Sequence, residues 1–345
     1  MRLVMTLFVR DEEDILEANL RYHLSQGVDH FLVTDNGSAD RTPLILERFR
    51  RAGRLRLWRE EGEDHPQRRC VTAMARIAAL EHGADWVINA DADEFWWPVA
   101  GTLKQTLTAV PRRYGVVYAP RLFFLAAPGV EGFEPSAYVV RHAGARGVKA
   151  AHRAHSRAVV EAGNHSACAP GLARAPQAGL IDVLHFPFRG RRRFEERVRL
   201  TGRTFTSCPD FTPETRERYR ARSRAVEEGT FDALYRELVA SPDRVARGLS
   251  TGELVVDRRL ASHLESGSPA TGQEPGPEAV ARMIGEQLAA AEARMTAADR
   301  LRSRVAATRL FVSTRPLRHR MQRARSQWRV RAAARRAERP AHQGV

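Results

Sequence analysis

Cysteine is scarce in this 345-residue chain: Cys70, Cys168 and Cys208 are few, scattered and odd in number. That excludes a disulfide framework or a clustered-cysteine zinc site and favours a reducing cytosol. No window of about 18 uninterrupted apolar residues exists to span a bilayer. The opening run Met1–Arg10 is short and meets Asp11, Glu12, Glu13 and Asp14 without a small-residue cleavage site. It is expected to be a first strand rather than a signal peptide. A Gly-x-Gly-x-x-Gly after that strand is missing, as is any Gly-Lys-Ser/Thr loop, so dinucleotide and P-loop chemistry lose their main support. No internal repeat is visible. Lysine is nearly absent, with 2 against 54 arginines, which resembles a base-composition bias of the source.

What the chain does contain is charge, unevenly placed. The net charge is +15, of which residues 301–345 carry +12 (13 Arg, one Glu), leaving about +3 for residues 1–300. The basic segment mixes arginine with Leu310, Phe311 and Trp328. It suits an anionic membrane surface, another polyanion or a solvated helix. Nucleic acid is not expected as the partner.

The first 100 residues alternate strand-like and helix-like segments. Strands are expected at Leu3–Val9, His30–Thr34, Leu55–Trp58 and Trp86–Ala90, with helices over 11–26, from Thr42 and around 71–78. This order implies an α/β fold: a Rossmann-like, mainly parallel sheet with helices on both faces, plus a C-terminal helical extension. The expected divisions are an α/β domain over 1–205, a helical extension over 206–265, a linker over 266–277 and a basic amphipathic helical tail over 278–345. Ligands in such sheets bind beyond the carboxyl ends of the strands. Arg10, Asp35 with Asn36, and Asp91 with Asp93 all fall there.

The fourth strand, Trp86-Val87-Ile88-Asn89-Ala90, breaks into Asp91-Ala92-Asp93-Glu94 and then Phe95-Trp96-Trp97. Three adjacent carboxylates repel one another unless positive charge sits among them, and a divalent cation is one answer. A solvated acidic loop is the other. Asp35-Asn36-Gly37-Ser38-Ala39-Asp40 can hold a base or ribose, or can be an Asx turn leading into the next helix. The aromatics Trp96, Trp97, Phe123 and Phe124 suit a sugar platform or the core.

Together, Val9-Arg10-Asp11-Glu12, Asp35-Asn36-Gly37-Ser38-Ala39-Asp40, Asp91-Ala92-Asp93-Glu94, Gly163-Asn164-His165 and Leu184-His185-Phe186-Pro187 resemble a GT-A-fold glycosyltransferase of the family 2 type, over roughly residues 1–205. The resemblance implies an inverting, metal-dependent transfer of a sugar from a nucleotide-diphosphate donor to a glycan, lipid-linked or envelope acceptor. It implies a cytoplasmic enzyme, peripheral at the inner face of the cell membrane through its basic tail. By the same resemblance, Asp93 is the direct ligand of Mn2+ or Mg2+, with Asp91 on the ribose or a metal-bound water and His185 completing the metal site. Arg10, Asp35 and Asp91 are expected on the donor nucleotide. A general base must deprotonate the acceptor hydroxyl. The acid pair expected between 140 and 190 is missing, which puts His165 first, with Glu94, Glu161 and Asp182 as alternatives. Metal-assisted phosphoryl transfer or hydrolysis is the alternative enzyme class, and a polyanion- or membrane-binding protein acting through the tail is the non-enzymatic one.

Overall fold

The computed structural model describes residues 1–60, 67–205, 213–266 and 275–297, together with 299. The N-terminal half alternates β1 (Leu3–Val9), α1 (Leu16–Ser25), β2 (His30–Asp35), α2 (Thr42–Arg51), β3 (Leu55–Arg59), α3 (Gln67–Glu81) and β4 (Trp86–Ala90). There follow β5 (Glu94–Pro98), α4 (Leu103–Ala109), β6 (Val116–Leu125), β7 (Val140–His142), β8 (Val148–Arg153), β9 (Val159–Val160), β10 (Ala167–Cys168) and β11 (Ile181–His185). The C-terminal part holds α5 (Arg191–Phe205), α6 (Pro213–Glu227), α7 (Phe231–Leu238), α8 (Pro242–Thr251), β12 (Leu254–Val256), α9 (Arg259–Ser266) and α10 (Pro277–Ala293).

Continuous apolar runs make β1, β2 and β4 central parallel strands, because a strand covered on both faces has no polar side to show. Every residue of β1 and β4 is buried. The α/β architecture with helices on both faces is therefore present: α1, α2 and α4 pack on one face and α3 on the other. The sheet runs β12-β7-β6-β8-β4-β1-β2-β3, with β11 joining β6 and β5 joining β11. Its β4-β1-β2-β3 portion is parallel, and the strands beyond β4 make it mixed. The hinge of that change is β8, which runs antiparallel between β4 and β6.

Two sequence expectations shift. Helix α1 starts at Leu16 rather than residue 11 because Asp11 has left the helical region, at φ +52°, and spends its carboxylate on the β2–α2 loop. The short strands β7, β9 and β10 are too brief to show a period of their own. The segment from 278, expected to begin a separate tail, instead opens as α10 with Val280, Ile284 and Leu288 at i, i+4 and i+8 buried in the main core beside Leu103 and Leu107. An apolar stripe of that spacing needs a partner face, and α4 offers one. The basic stretch 301–345 lies outside the described residues. Among those described, no helix is long and apolar enough to cross a membrane.

Candidate active site

The parallel register sets Val9 beside Asp35 and Leu7 beside Ala90, so the ends of β1, β2 and β4 open on one edge. Past β4 the chain makes a tight turn, closed by Glu94 N donating to Asp91 O at 3.2 Å. Buried Asn19 of α1 clamps this turn, its Nδ2 donating to the carbonyls of Ala92 (2.9 Å) and Glu94 (2.8 Å).

The three acids then diverge. Asp91 accepts from Gln67 Nε2 (2.9 Å) and Asn164 Nδ2 (3.1 Å) on Oδ1, and from Lys149 Nζ (2.6 Å) on Oδ2. Glu94 is fully buried, and the same ammonium lies 2.7 Å from its Oε1 without hydrogen-bond alignment. Burial pushes the Glu94 carboxyl up to about 8 against the pull of Lys149. Burial also opposes the charge on Lys149, yet Asp91 and Glu94 outweigh it and raise the ammonium above its ordinary range.

Asp93 faces the other way. Around its Oδ2 stand His185 Nε2 at 3.4 Å, Arg189 Nη1 at 3.5 Å and Arg197 Nη1 at 3.5 Å. Burial opposes its ionisation, but His185 and the two guanidiniums hold the carboxyl well below the usual carboxylate range. His185 stands directly across the β5–β11 ladder from Glu94, which explains how a residue so distant in sequence reaches the acids. Burial lowers its imidazole to about 4, so the ring is neutral at pH 7. Arg189 also pairs with Glu12 and Asp14, tying the loop after β1 to Asp93.

At the β1–β2 end, Asp35 Oδ1 accepts from Ser38 N (3.1 Å) and Ser38 Oγ (2.6 Å). The Asx turn is thus present, and among the described residues no donor engages the second carboxylate oxygen. Asp11 N donates to Ser38 Oγ at 3.0 Å, and Asp11 Oδ1 accepts from Ala39 N at 2.7 Å, stitching the two loops together. Arg10 Nε beside them is buried with no hydrogen-bond partner.

His165 lies on the far side of Asp91. Gly163 precedes it at φ +72°, and a Cβ there would come within 2.9 Å of the His165 ring, so only glycine lets this knot close. His165 Nδ1 lies 2.8 Å from the Val148 carbonyl. A carbonyl oxygen only accepts, so Nδ1 carries the proton and the neutral ring presents Nε2 as a base. Partial burial and the nearby Lys149 hold this imidazole below its ordinary value.

The structure gathers Asp91, Asp93, Glu94, His165 and His185 around one centre and leaves Arg10 and Asp35 at the β1–β2 end. Arg76 of α3 donates to Ala158 O (2.7 Å). Trp96 and Phe124 belong to the core and Trp97 stacks on Tyr22, which leaves Phe123, its ring 4.5 Å from that of His185, as the aromatic at the site. Sequence reasoning missed Lys149, Arg189 and Arg197 as site residues. One signal was there for Lys149: it is one of two lysines among 56 basic residues.

Among the described residues, Asp93, Glu94 and His185 each place a ligand atom within 4.8 Å of the others. Two carboxylates and an imidazole suit Mg2+ or Mn2+, the nitrogen being better tolerated by manganese. His185 Nδ1 is buried without a partner, an orphan that a polar occupant would satisfy. The residues present therefore fit a divalent ion. Asp91, expected from sequence on the ribose or a metal-bound water, lies outside this trio, with Lys149, Gln67 and Asn164 on its two oxygens.

No protein-family model matches the chain, and no curated protein matches it. Among solved structures, the chain is similar to S. aureus TarS 1-349 in complex with UDP-GlcNAc, at 12% identity and TM-score 0.31 over 66% of this chain and 72% of that one. It is similar to the mannosyltransferase PcManGT from Pyrobaculum calidifontis in complex with GDP-Man and Mn2+, at 16% identity and TM-score 0.32 over 85% and 86% of the two chains. Glucosyl-3-phosphoglycerate synthase from Mycobacterium tuberculosis follows at 17% identity and TM-score 0.23, over 35% and 44%. Likenesses at this level carry no weight for function, which rests on the site's own geometry.

Proposed function

We propose that the protein is a GT-A-type glycosyltransferase, moving a sugar from a nucleotide-diphosphate donor to an acceptor hydroxyl with inversion. The observation that carries this reading is a half-free carboxylate (Asp35) at the end of β2 together with a caged carboxylate–imidazole pair (Asp93, His185) past the end of β4 and a neutral histidine (His165) beyond Asp91. Asp35 Oδ2 and Arg10 Nε would hold the base and ribose, the one as acceptor and the other as donor. Asp93 and His185, with Glu94 beside them, would hold Mn2+ or Mg2+, which when bound neutralises charge developing on the departing diphosphate. Arg189 and Arg197 add fixed positive charge at the same place. Asp91 is held rigid by three donors and positions the sugar or ribose hydroxyls.

His165 Nε2 is the proton acceptor. A single displacement by the acceptor oxygen inverts the anomeric centre and needs one base on the acceptor side. Because the imidazole titrates below its ordinary value of about 6.5, the acid limb of kcat/KM is expected below that pH. Activity falls as pH drops through the limb, since the protonated ring cannot accept the proton. His165→Gln should cost roughly 100-fold or more in kcat and remove the limb. A pH–rate profile of both proteins checks it, and an unchanged limb in the variant assigns the base elsewhere.

The reading as a whole is tested by thermal melting with UDP, GDP, ADP and CDP, each with and without Mn2+. One diphosphate is expected to raise the midpoint strongly only with metal, through linkage of binding to the folded state. Silence across the whole panel would defeat it.

A further inference from the structure

A cavity of about 630 Å3 opens beside the acid cluster, on the opposite side of β4 from Asp35. Its wall is drawn from distant parts of the chain: Arg121 from β6, Arg146 from the turn before β8, Arg218 and Arg222 from α6, and Arg244 from α8. Against these five guanidiniums the lining has one acid, Glu237, giving a formal +4 (five minus one). Several other surface arginines are paired with acids, as Arg48 is with Glu17 and Arg50 with Glu47. Here, among the described residues, only Arg121 has a carboxylate within 4.0 Å, and that is Glu94 at 3.9 Å. Arg222 lies over the Phe194 and Tyr219 rings rather than against an acid. Burial, together with Arg218 and Arg197, lowers its guanidinium from the ordinary value, and burial with Arg146 and Arg244 does the same to His142. Like charges gathered this closely repel unless an anion arrives to separate them.

The cavity also touches the chemistry. His165 lines it, and so does Phe123, whose ring meets the Arg121 guanidinium at 4.8 Å and the His185 ring at 4.5 Å. Its volume lies in the range of small-molecule sites. An arginine fork binds phosphate or carboxylate through paired hydrogen bonds, while an aromatic face suits the C–H side of a polyol.

The geometry points to this cavity as the acceptor subsite, built for a hydroxyl compound that carries a phosphate or a carboxylate; the role rests on the transferase reading above. The acceptor's anion would sit among Arg146, Arg218, Arg222 and Arg244, with its hydroxyl at His165 Nε2. The acceptor oxygen forms the bond to the anomeric carbon, the bond from that carbon to the donor diphosphate breaks with its electron pair leaving on the diphosphate, and the hydroxyl proton passes to His165.

Calorimetric titration of the full chain at low salt tests this, with glycerol 3-phosphate and glucuronate as anionic probes and glycerol, glucose and inorganic phosphate as controls. A parallel arm titrates the nucleoside diphosphates with Mn2+. At least one organic anion is expected to bind tenfold or more tighter than its neutral counterpart, and the better arm tells phosphate from carboxylate. Arg146→Gln and Arg222→Gln should each weaken that binding at least tenfold while changing nucleotide affinity less than twofold, with circular dichroism confirming that both fold. Arg146 is exposed, so its variant stands if the half-buried Arg222 does not tolerate change. Equal binding of neutral and anionic probes, or variants that bind like the parent, overturns the proposal. So does inorganic phosphate binding as tightly as the organic anions, which makes the cavity an unspecific anion sink. If the organic anions bind in an arginine-dependent way but no nucleotide binds, the transferase reading fails and the acceptor role falls with it, leaving only an anion site.

Discussion

Exchanging Lys149 for methionine is expected to lower the free energy of unfolding by about 3–5 kcal/mol, the usual cost of removing one partner from a buried ion pair. The ammonium is wholly buried between Asp91 Oδ2 at 2.6 Å and Glu94 Oε1 at 2.7 Å. Methionine fills a similar volume but leaves Asp91 and Glu94 without the ammonium between them, with the Arg121 guanidinium 3.9 Å from Glu94 Oε1 as a weaker counter-charge. Lys149→Arg should also be destabilising, because a planar fork cannot place one point charge between two acids that approach from different directions. Urea melts at pH 7 measure both variants. A double substitution, Lys149→Met with Glu94→Gln, should recover part of the loss, since it removes one of the two facing acids together with the ammonium. The pair's contribution has a definite sign with pH: the Lys149 ammonium is raised above its unfolded value, so its contribution is present below about 10.4 and fades as pH climbs through the folded value. A loss below about 1 kcal/mol would mean that the ammonium is solvated and the acids are neutralised by something else.

The second large effect belongs to Asp93. Asp93→Asn keeps the shape and removes the charge that holds His185, Arg189 and Arg197 together. Turnover should fall by about 1,000-fold or more, equivalent to roughly 4 kcal/mol of lost transition-state stabilisation. The Mn2+-dependent part of the thermal shift with nucleotide should vanish as well. That second readout separates a lost metal site from a merely slower reaction. The carboxyl is held below its unfolded value, so its contribution to stability is present above about 3.9 and is lost as pH falls through the folded value. The asparagine variant should therefore melt earlier at neutral pH and differ less from the parent in acid. A variant within tenfold of the parent rate, with an intact metal response, would remove Asp93 from the chemistry.

The parts of this molecule that could be read from sequence share a physical cause. β1, β2 and β4 are buried on both faces, so they appear as plain apolar runs, and the acids that interrupt the last of them stand out against that background. Asp35, Asp91 and Asp93 fall at strand ends that topology brings together. The remainder was hidden because it depends on pairings across long stretches of chain. Lys149 reaches Asp91 only because β8 enters the sheet antiparallel beside β4, and a strand whose side chains alternate Val148, Ala150 and His152 gives little sign of that direction. Arg189 and Arg197 sit in a segment crowded with arginine, where no local feature marks the two that turn inward. Helix α10 carried a readable stripe, but its partner α4 lies far back in the chain.

The position of β8 has a consequence for how the protein comes to exist. Its parallel neighbours β1 to β4 are complete by residue 90, while the strand that neutralises their acids begins at residue 148 and must insert between β4 and β6. Contacts of such separation form late, because the loop between them has to close first. The charge balance of the acid cluster therefore depends on a long-range pairing and not on the local β4–β5 turn.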